Sequence, residues 1–140
     1  MKNLFFVILI SGCISTFMYL SKQSGEPSIN EKWDTEFLKG LSSDMNAKLP
    51  IDIDEGTRLE KTEARLSTFI YHYTFTQDVL IDINLIKVQE EFFPSVKNQV
   101  CNDKKSLEFL GHGVTIQFKY SDRNREFVGE FMVKAIDCIK

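Results

Sequence analysis

The sequence predicts an α+β domain, in which an antiparallel sheet of four or five strands carries helices on one face, behind an N-terminal membrane helix or signal. Three patterns lead to this prediction. An amphipathic stripe covers residues 29–47, apolar and polar residues alternate over 66–75 and 114–120, and an uncharged apolar run extends from Leu4 to Leu20. The 140 residues therefore divide into a membrane anchor or lipoprotein signal (1–22), a linker (23–28) and one domain (29–140).

The composition excludes several classes of protein. Hydrophobic residues make up 43% of the chain and charged residues 26%, which is typical of a folded domain and not of a disordered, collagen-like or polytopic membrane protein. The 17 basic and 20 acidic residues give a net charge of −3 and form no basic stripe. Nucleic acid is therefore not expected as a partner.

The apolar run at the N-terminus has three interpretations. At 1.5 Å per residue, Leu4 to Leu20 would extend about 26 Å, enough for a short uncleaved span flanked by Lys2 and Lys22. The order Ile10-Ser11-Gly12-Cys13 instead matches a lipobox, in which Cys13 would carry a lipid. A plain cleaved signal is the third interpretation. All three send the domain out of the cytosol, so we expect it in the periplasm of a cell envelope.

The predicted domain begins with a helix over residues 29–47. Ser28 and Glu31 have the spacing of a capping box, and Pro50 should stop the helix. The apolar stripe should face the core, and we expect a partner helix in a groove between this helix and the sheet. Trp33 and Phe37 are the candidate contacts for that partner. The stripe consists of Ile29, Trp33, Phe37, Leu41 and Met45.

The next segments are predicted to be a turn and a strand. Residues 51–63 are polar and acidic, which favours a solvated turn with a short strand near 57–61. The run from Asp52 to Gly56 resembles a calcium loop only faintly, because it lacks the later bidentate glutamate. Residues 66–75 then alternate as a strand, and 79–83 form a further short apolar run.

The second half of the domain is predicted to contain two helical segments and a hairpin. A helical pattern extends from Asn84 to Val100, and Pro94 should kink or restart it. Asp103 is the predicted N-cap of a short helix over 104–110. Strands over 114–120 and 127–136 should pair as a hairpin, with Gly129 as a candidate bulge.

The cysteines predict one disulfide. Cys101 and Cys138 form an even pair in a domain that is expected to be exported, and such pairs are usually oxidised. Two buried free thiols are the alternative.

The residues give no indication of catalysis. His72 lies in a predicted strand and His112 lies between two glycines, and neither has an evident nucleophile or acid beside it in the sequence. The sequence contains no nucleophile elbow, P-loop, His-Glu-x-x-His or Cys-x-x-Cys motif. We therefore expect no enzyme activity, no cofactor and no metal site.

Several segments resemble a known family. They are Ala47-Lys48-Leu49-Pro50-Ile51 after the first helix, Val100-Cys101-Asn102-Asp103, the segment from Leu110 to Ile116, and the closing Cys138. Their order and spacing are similar to the AspS-type pilotins of type II secretion and to a broader set of small bacterial envelope proteins. The resemblance implies a monomeric lipoprotein with a Cys101–Cys138 bridge, which binds a helix of an outer-membrane secretin and escorts it.

The leading hypothesis is thus a non-enzymatic, membrane-tethered envelope protein that binds another protein. One alternative is a periplasmic inhibitor or immunity-type protein that uses the sheet to block an enzyme, and a protruding acidic loop at Asp52–Glu55 would favour inhibition of a basic site. Another is a structural accessory subunit of an inner-membrane complex.

Overall fold

A computed structural model describes residues 33–76 and 85–139. Several predicted features lie outside the described residues. They are the anchor 1–22 with Cys13, the linker 23–28, the Ser28 capping box and the run 79–83. No helix within 33–76 or 85–139 is long and apolar enough to cross a bilayer.

The described elements follow one another in the order helix, three strands, helical segments, two strands. Helix α1 spans Thr35–Asn46, and strands β1, β2 and β3 span Ile51–Asp54, Thr57–Arg65 and Thr68–Phe75. Then come α2 (Leu85–Lys87), a π-helical segment (Val88–Phe92), α3 (Phe93–Asn102) and α4 (Lys104–Gly111). Strands β4 (Thr115–Ser121) and β5 (Phe127–Val133) and a 3-10 turn (Ala135–Cys138) come last.

The five strands form one mixed sheet in the order β1-β2-β3-β4-β5. Neighbouring strands are antiparallel except β3 and β4, which pair in parallel from Thr68 opposite Thr115 to Thr74 opposite Ser121. The prediction of a purely antiparallel sheet is therefore wrong. The physical reason is that α2, α3 and α4 return the chain to the end of the sheet where β3 began, so β4 must run in the same direction.

The helices pack on one face of the sheet, as predicted. Phe69 and Tyr71 of β3 belong to the same buried core as Leu38 of α1, Val96 of α3 and Phe109 of α4. The side chains that point away from these helices along β3 are Thr68, Ile70, His72 and Thr74, and they form part of a second face with a different composition.

Local signals set the helix ends. Helix α1 begins at Thr35 and not near residue 29, because the side chain of Asp34 caps it by accepting a hydrogen bond from the Phe37 amide at 2.9 Å. The predicted cap at Asp103 is confirmed, since its carboxylate accepts from the Ser106 amide at 2.8 Å. Pro94 lies in the first turn of α3, directly after the π-helical segment, so the predicted restart of the helix is also confirmed.

The segment expected to be mainly a turn is a β-hairpin. Strands β1 and β2 pair from Ile51 opposite Leu59 to Asp54 opposite Thr57, and the Asp54 carboxylate accepts a hydrogen bond from the Gly56 amide at 2.7 Å to close the turn. Leu59 and Thr62 are buried beneath α1. The polar residues of this segment alternate with those that the helix covers, which is why composition alone suggested a turn.

A layer of stacked rings fills the centre of the core. The ring of Tyr120 stacks on those of Tyr73 and Phe75, with centroids 5.3 Å apart in each case. Its hydroxyl group is buried, and it neither donates nor accepts a hydrogen bond within the described part of the chain. Burial raises the pKa of Tyr120 well above its usual value, and the charge of Asp54 adds to this effect, so the phenol stays neutral.

Gly129 is required by the packing of a phenylalanine. A Cβ atom at this position would lie 3.0 Å from Cζ of Phe93, which is buried against Tyr120 and Phe131. The pairing register shifts between Tyr120–Gly129 and Ser121–Phe127, which places the irregularity beside the predicted bulge. Gly40, in the middle of α1, has no such neighbour within 4 Å.

The predicted disulfide is confirmed. Cys101 at the end of α3 is bonded to Cys138 in the 3-10 turn, 37 residues later. The bridge therefore attaches the segment after β5 to the helical layer, and Lys97 reinforces this attachment with an ion pair to Asp137 at 3.3 Å.

The two glycines give a matched pair of predictions. We expect Gly129→Ala to lower the free energy of unfolding by about 1 kcal/mol, because the added methyl group must displace Phe93. We expect Gly40→Ala to raise it by about 0.5–1 kcal/mol, because alanine is the better helix former and the space is open. Urea denaturation of both variants measures the difference, and equal shifts would contradict the packing role of Gly129.

Removing the bridge should destabilise the domain strongly. For the double variant Cys101→Ser, Cys138→Ser we expect a loss of about 4 kcal/mol, the value that the chain-entropy model gives for a loop of this size. The measurement is urea denaturation under non-reducing conditions, with Cys13→Ser as the control that keeps wild-type stability. Free thiols at both positions in the wild-type protein, detected by mass analysis, would overturn the prediction.

Candidate protein-binding site

Trp33 joins the start of α1 to the end of α4. Its indole ring packs edge-on against Phe109 at a centroid distance of 4.8 Å and against Phe37 at 5.0 Å. It also stacks on the imidazole of His112, with centroids 4.8 Å apart and planes inclined by 13°. Trp33 precedes helix α1 and is half-buried, so it lies outside the helix in which the stripe predicted it.

The two predicted partner contacts, Trp33 and Phe37, lie together at this junction. Both pack against the core and both remain partly exposed. His112 was missed as their neighbour, because 78 residues separate Trp33 from His112 and no local pattern connects the two segments. The only signal in the sequence is the position of His112 between two glycines at a helix end, which is typical of a ring at the surface.

The expected groove between α1 and the sheet is filled. Leu38 and Met45 are buried in this interface, and the hydroxyl groups of Ser42 and Thr62 are hydrogen-bonded at 2.9 Å. The side-chain amide of Asn46 donates to the Thr62 carbonyl at 2.9 Å and accepts from its amide at 2.7 Å. These buried polar contacts fix α1 on β2, so a partner helix cannot enter between them without breaking them.

One accessible flank of α1 combines an aromatic residue with a glycine. Phe37, Gly40 and Asp44 follow one another at helical spacing, which places them along one side of the helix. Gly40 and Asp44 are exposed, and Phe37 is half-buried. We call these three residues the α1 flank. Because Gly40 has no side chain, another helix could approach the α1 backbone closely here.

The face of the sheet without helices carries alternating charges. His72 donates a hydrogen bond from Nε2 to the Glu63 carboxylate on the neighbouring strand, and Arg65 lies 3.5 Å from the same carboxylate. Lys119 lies 3.6 Å from Glu130 on the other side. His72 is thus a paired residue of a polar face, in agreement with its expected position in a strand.

Burial shifts the pKa of His72 downward. Desolvation of the ring is the largest cause, and the hydrogen bond and charge of Glu63 offset it only in part. Desolvation raises the pKa of Glu63, but the hydrogen bond from His72 and the nearby cations outweigh it, so that pKa is lowered as well. Both shifts favour a neutral imidazole beside an ionised carboxylate near neutral pH.

Carboxylates of the acidic β1–β2 hairpin interact with groups of the same hairpin. Asp52 forms an ion pair with Arg58 at 2.7 Å, and Asp54 accepts from Gly56. Within the residues that the structure describes, no group of three or more His, Cys, Asp or Glu side chains is arranged to hold a metal ion. Asp52 and Glu55 remain exposed in this hairpin, so the inhibitor alternative stays a hypothesis.

Known structures with a similar fold include two pilotins. The pilotin EpsS of the Vibrio vulnificus type 2 secretion system superposes with a TM-score of 0.64 and 14% identity, over 76% of this chain and 92% of that one. The type II secretion pilotin AspS of Vibrio cholerae gives a TM-score of 0.59 and 14% identity, over 74% and 91%. The chain has the pilotin fold.

A third similar structure extends the comparison beyond pilotins. A protein from Pseudomonas aeruginosa that is provisionally described as secreted gives a TM-score of 0.65 and 12% identity, over 75% of this chain and 92% of the other. No protein-family model matches the chain. No curated protein matches it either. The predicted resemblance to AspS-type pilotins is therefore confirmed at the level of the fold.

The His72–Glu63 pair predicts the direction of a pH dependence. Because the pKa of His72 is lower in the folded than in the unfolded state, the unfolded chain binds more protons below about pH 6.5. The free energy of unfolding should thus fall as the pH decreases from 7 to 5, and the lowered pKa of Glu63 continues the loss below about pH 4.5. In His72→Gln the dependence between pH 7 and 5 should be reduced. Denaturation curves at several pH values measure this, and an unchanged slope would contradict the assignment.

Proposed function

We propose that this chain is a non-enzymatic envelope protein that binds another protein, and that its partner is a helix of an outer-membrane secretin. The observation that carries the proposal is the coverage of the fold comparison. The superposition includes more than nine-tenths of both pilotins, so nearly all of each pilotin chain has a counterpart here.

The proposed location is the cell envelope, with the domain in the periplasm. The Cys101–Cys138 bridge supports this location, because disulfides persist in oxidising compartments outside the cytosol. The compared proteins are pilotins and a protein described as secreted, which agrees with it. In the pilotin hypothesis, the lipoprotein signal lies within residues 1–22 and ends before Cys13, which carries the lipid.

The α1 flank is the proposed contact for the partner helix. Glycine in a helix interior costs about 1 kcal/mol relative to alanine, and no packing within the described domain repays this cost at Gly40. The adjacent rings of Phe37 and Trp33 supply partly exposed apolar surface at one end of the flank. A helix laid against it would contact the rings with its apolar face and pass close to the backbone at Gly40.

A bulky side chain at Gly40 tests the proposal. The ligand is a set of helical segments of the secretin encoded in the same genome, labelled for fluorescence anisotropy against the full chain in detergent. We expect Gly40→Leu to weaken binding at least tenfold, about 1.4 kcal/mol, while the domain remains folded because leucine is a good helix former.

The control is Lys39→Leu, which adds a leucine of the same size to an exposed position on another side of α1. This variant should bind within about twofold of the wild type, well under 1 kcal/mol. Absence of binding by the wild-type protein would overturn the proposed partner. Equal affinities of the two variants would retain the partner and overturn the proposed surface.

A further inference from the structure

One end of the sheet differs from the other in its surface chemistry. Strands β2 and β5 end here, and β3 and β4 begin here, as shown by the pairs Arg65–Thr68, Thr68–Thr115 and Ile116–Val133. The turn after β2, the loop after α4 and the residues after β5 therefore lie side by side. We call this region the Leu66 end.

Exposed apolar side chains concentrate at the Leu66 end. Leu66 is 77% exposed, and Ile136 and Ile139, just after β5, are 70% and 72% exposed. Of the seven strongly exposed large apolar residues within 33–76 and 85–139, five lie on elements at or beside this end. These five are Leu66, Leu107, Met132, Ile136 and Ile139. Clustered exposure of this kind marks a surface that contacts something outside the molecule.

The backbone of Leu66 supports the same conclusion. Its φ angle is +52°, in the left-handed region that glycine and asparagine adopt more readily than leucine. The side chain contributes little to the core, because most of it is in solvent. The leucine at this turn is therefore not explained by the folding of the domain, and an external apolar contact would explain it.

Basic side chains accompany these apolar residues. Arg65, Lys104 and Lys134 are exposed on the elements that meet at the Leu66 end, although Arg65 also lies near Glu63 and Glu108 is exposed on α4. The opposite end carries Asp52 and Asp54 on β1, Glu55 in the turn after it, and a mixture of charges beside Phe127 at the β4–β5 turn. Exposed apolar residues are thus more numerous at the Leu66 end, where the basic residues also lie close to Asp137.

The chain enters the domain at the same end. Trp33, the single tryptophan of the protein, stacks on His112, which leads into β4. Twelve residues separate it from the apolar run Leu4 to Leu20, a distance of at most about 40 Å when fully extended. Tryptophan, exposed aliphatic residues and cations are the combination that binds the boundary between lipid headgroups and acyl chains.

We propose that the Leu66 end rests on a lipid bilayer that carries anionic headgroups. Leu66, Ile136 and Ile139 enter the interfacial region, while Arg65, Lys104 and Lys134 lie against the phosphates. Phe37, which contacts Trp33, is then the part of the α1 flank nearest the membrane, and the β1–β2 turn lies at the opposite end of the sheet.

Two tryptophan variants of the full chain test this orientation. Both carry Trp33→Phe, so that the added residue is the only tryptophan, and both replace an exposed apolar side chain, Leu66→Trp at this end or Phe127→Trp at the other. The protein is incorporated in phosphatidylcholine–phosphatidylglycerol vesicles with brominated acyl chains. Fluorescence quenching should be several-fold stronger at position 66 than at position 127, and weaker in phosphatidylcholine alone or at high salt. Wild-type Trp33 provides a second reading that does not depend on Trp33→Phe, and its quenching should be intermediate.

A charge variant separates the basic residues from the apolar ones. Arg65→Gln with Lys104→Gln, added to the Leu66→Trp chain, should reduce the quenching in anionic vesicles to the level seen in phosphatidylcholine. The control Arg125→Gln, in the β4–β5 turn, should leave it unchanged. Equal quenching at positions 66 and 127, or none at 66, would overturn the proposal. Emission at position 66 that changes with protein density and not with brominated lipid would also overturn it, and would indicate a second copy of the chain on this surface.

Discussion

Parallel pairing of β3 with β4 forces the chain to travel the length of the sheet between Phe75 and Thr115. Segments α2 to α4 make this crossing, and they cover the ring layer on β3, β4 and β5 as they do so. The same pairing brings the end of β5 to the side where α3 ends, so that Cys138 meets Cys101. The parallel pairing also places His112 against the ring of Trp33. One backbone constraint therefore places the core, the bridge and the entry to the domain.

The two sides of α1 differ in how much they contact the rest of the domain. One side is fixed on β2 by buried leucines and by the hydrogen bonds among Ser42, Asn46 and Thr62. The flank with Gly40 contributes less to the core, and a side chain added at Gly40 would meet no atom within 4 Å. Under the proposed function, a substitution at Gly40 would affect binding without unfolding the domain, whereas substitutions on the buried side would affect both.

The sequence was informative where a signal is local. Periodicity located α1, and the Asp103 cap and the position of Pro94 located α3 and α4, because each depends on neighbours within a few residues. The direction of β4 relative to β3 has no such signal, since alternation is the same in parallel and antiparallel strands. The stacking of Trp33 on His112 and the burial of Thr62 under Ser42 are tertiary contacts for the same reason. Hence the antiparallel sheet and the open groove were wrong, while the disulfide, which needs only two cysteines and an oxidising compartment, was right.

The position of the bridge also sets an order of events in folding. Cys101 must wait for a partner that follows both β4 and β5, so the bond cannot form until the whole sheet has been synthesised. If the chain is exported, that partner must also have reached the oxidising compartment. During this interval Cys101 is a reduced thiol, and Cys13 is the other cysteine with which it could pair incorrectly. A closed Cys101–Cys138 bridge thus indicates that β5 has been synthesised and has reached its place in the sheet.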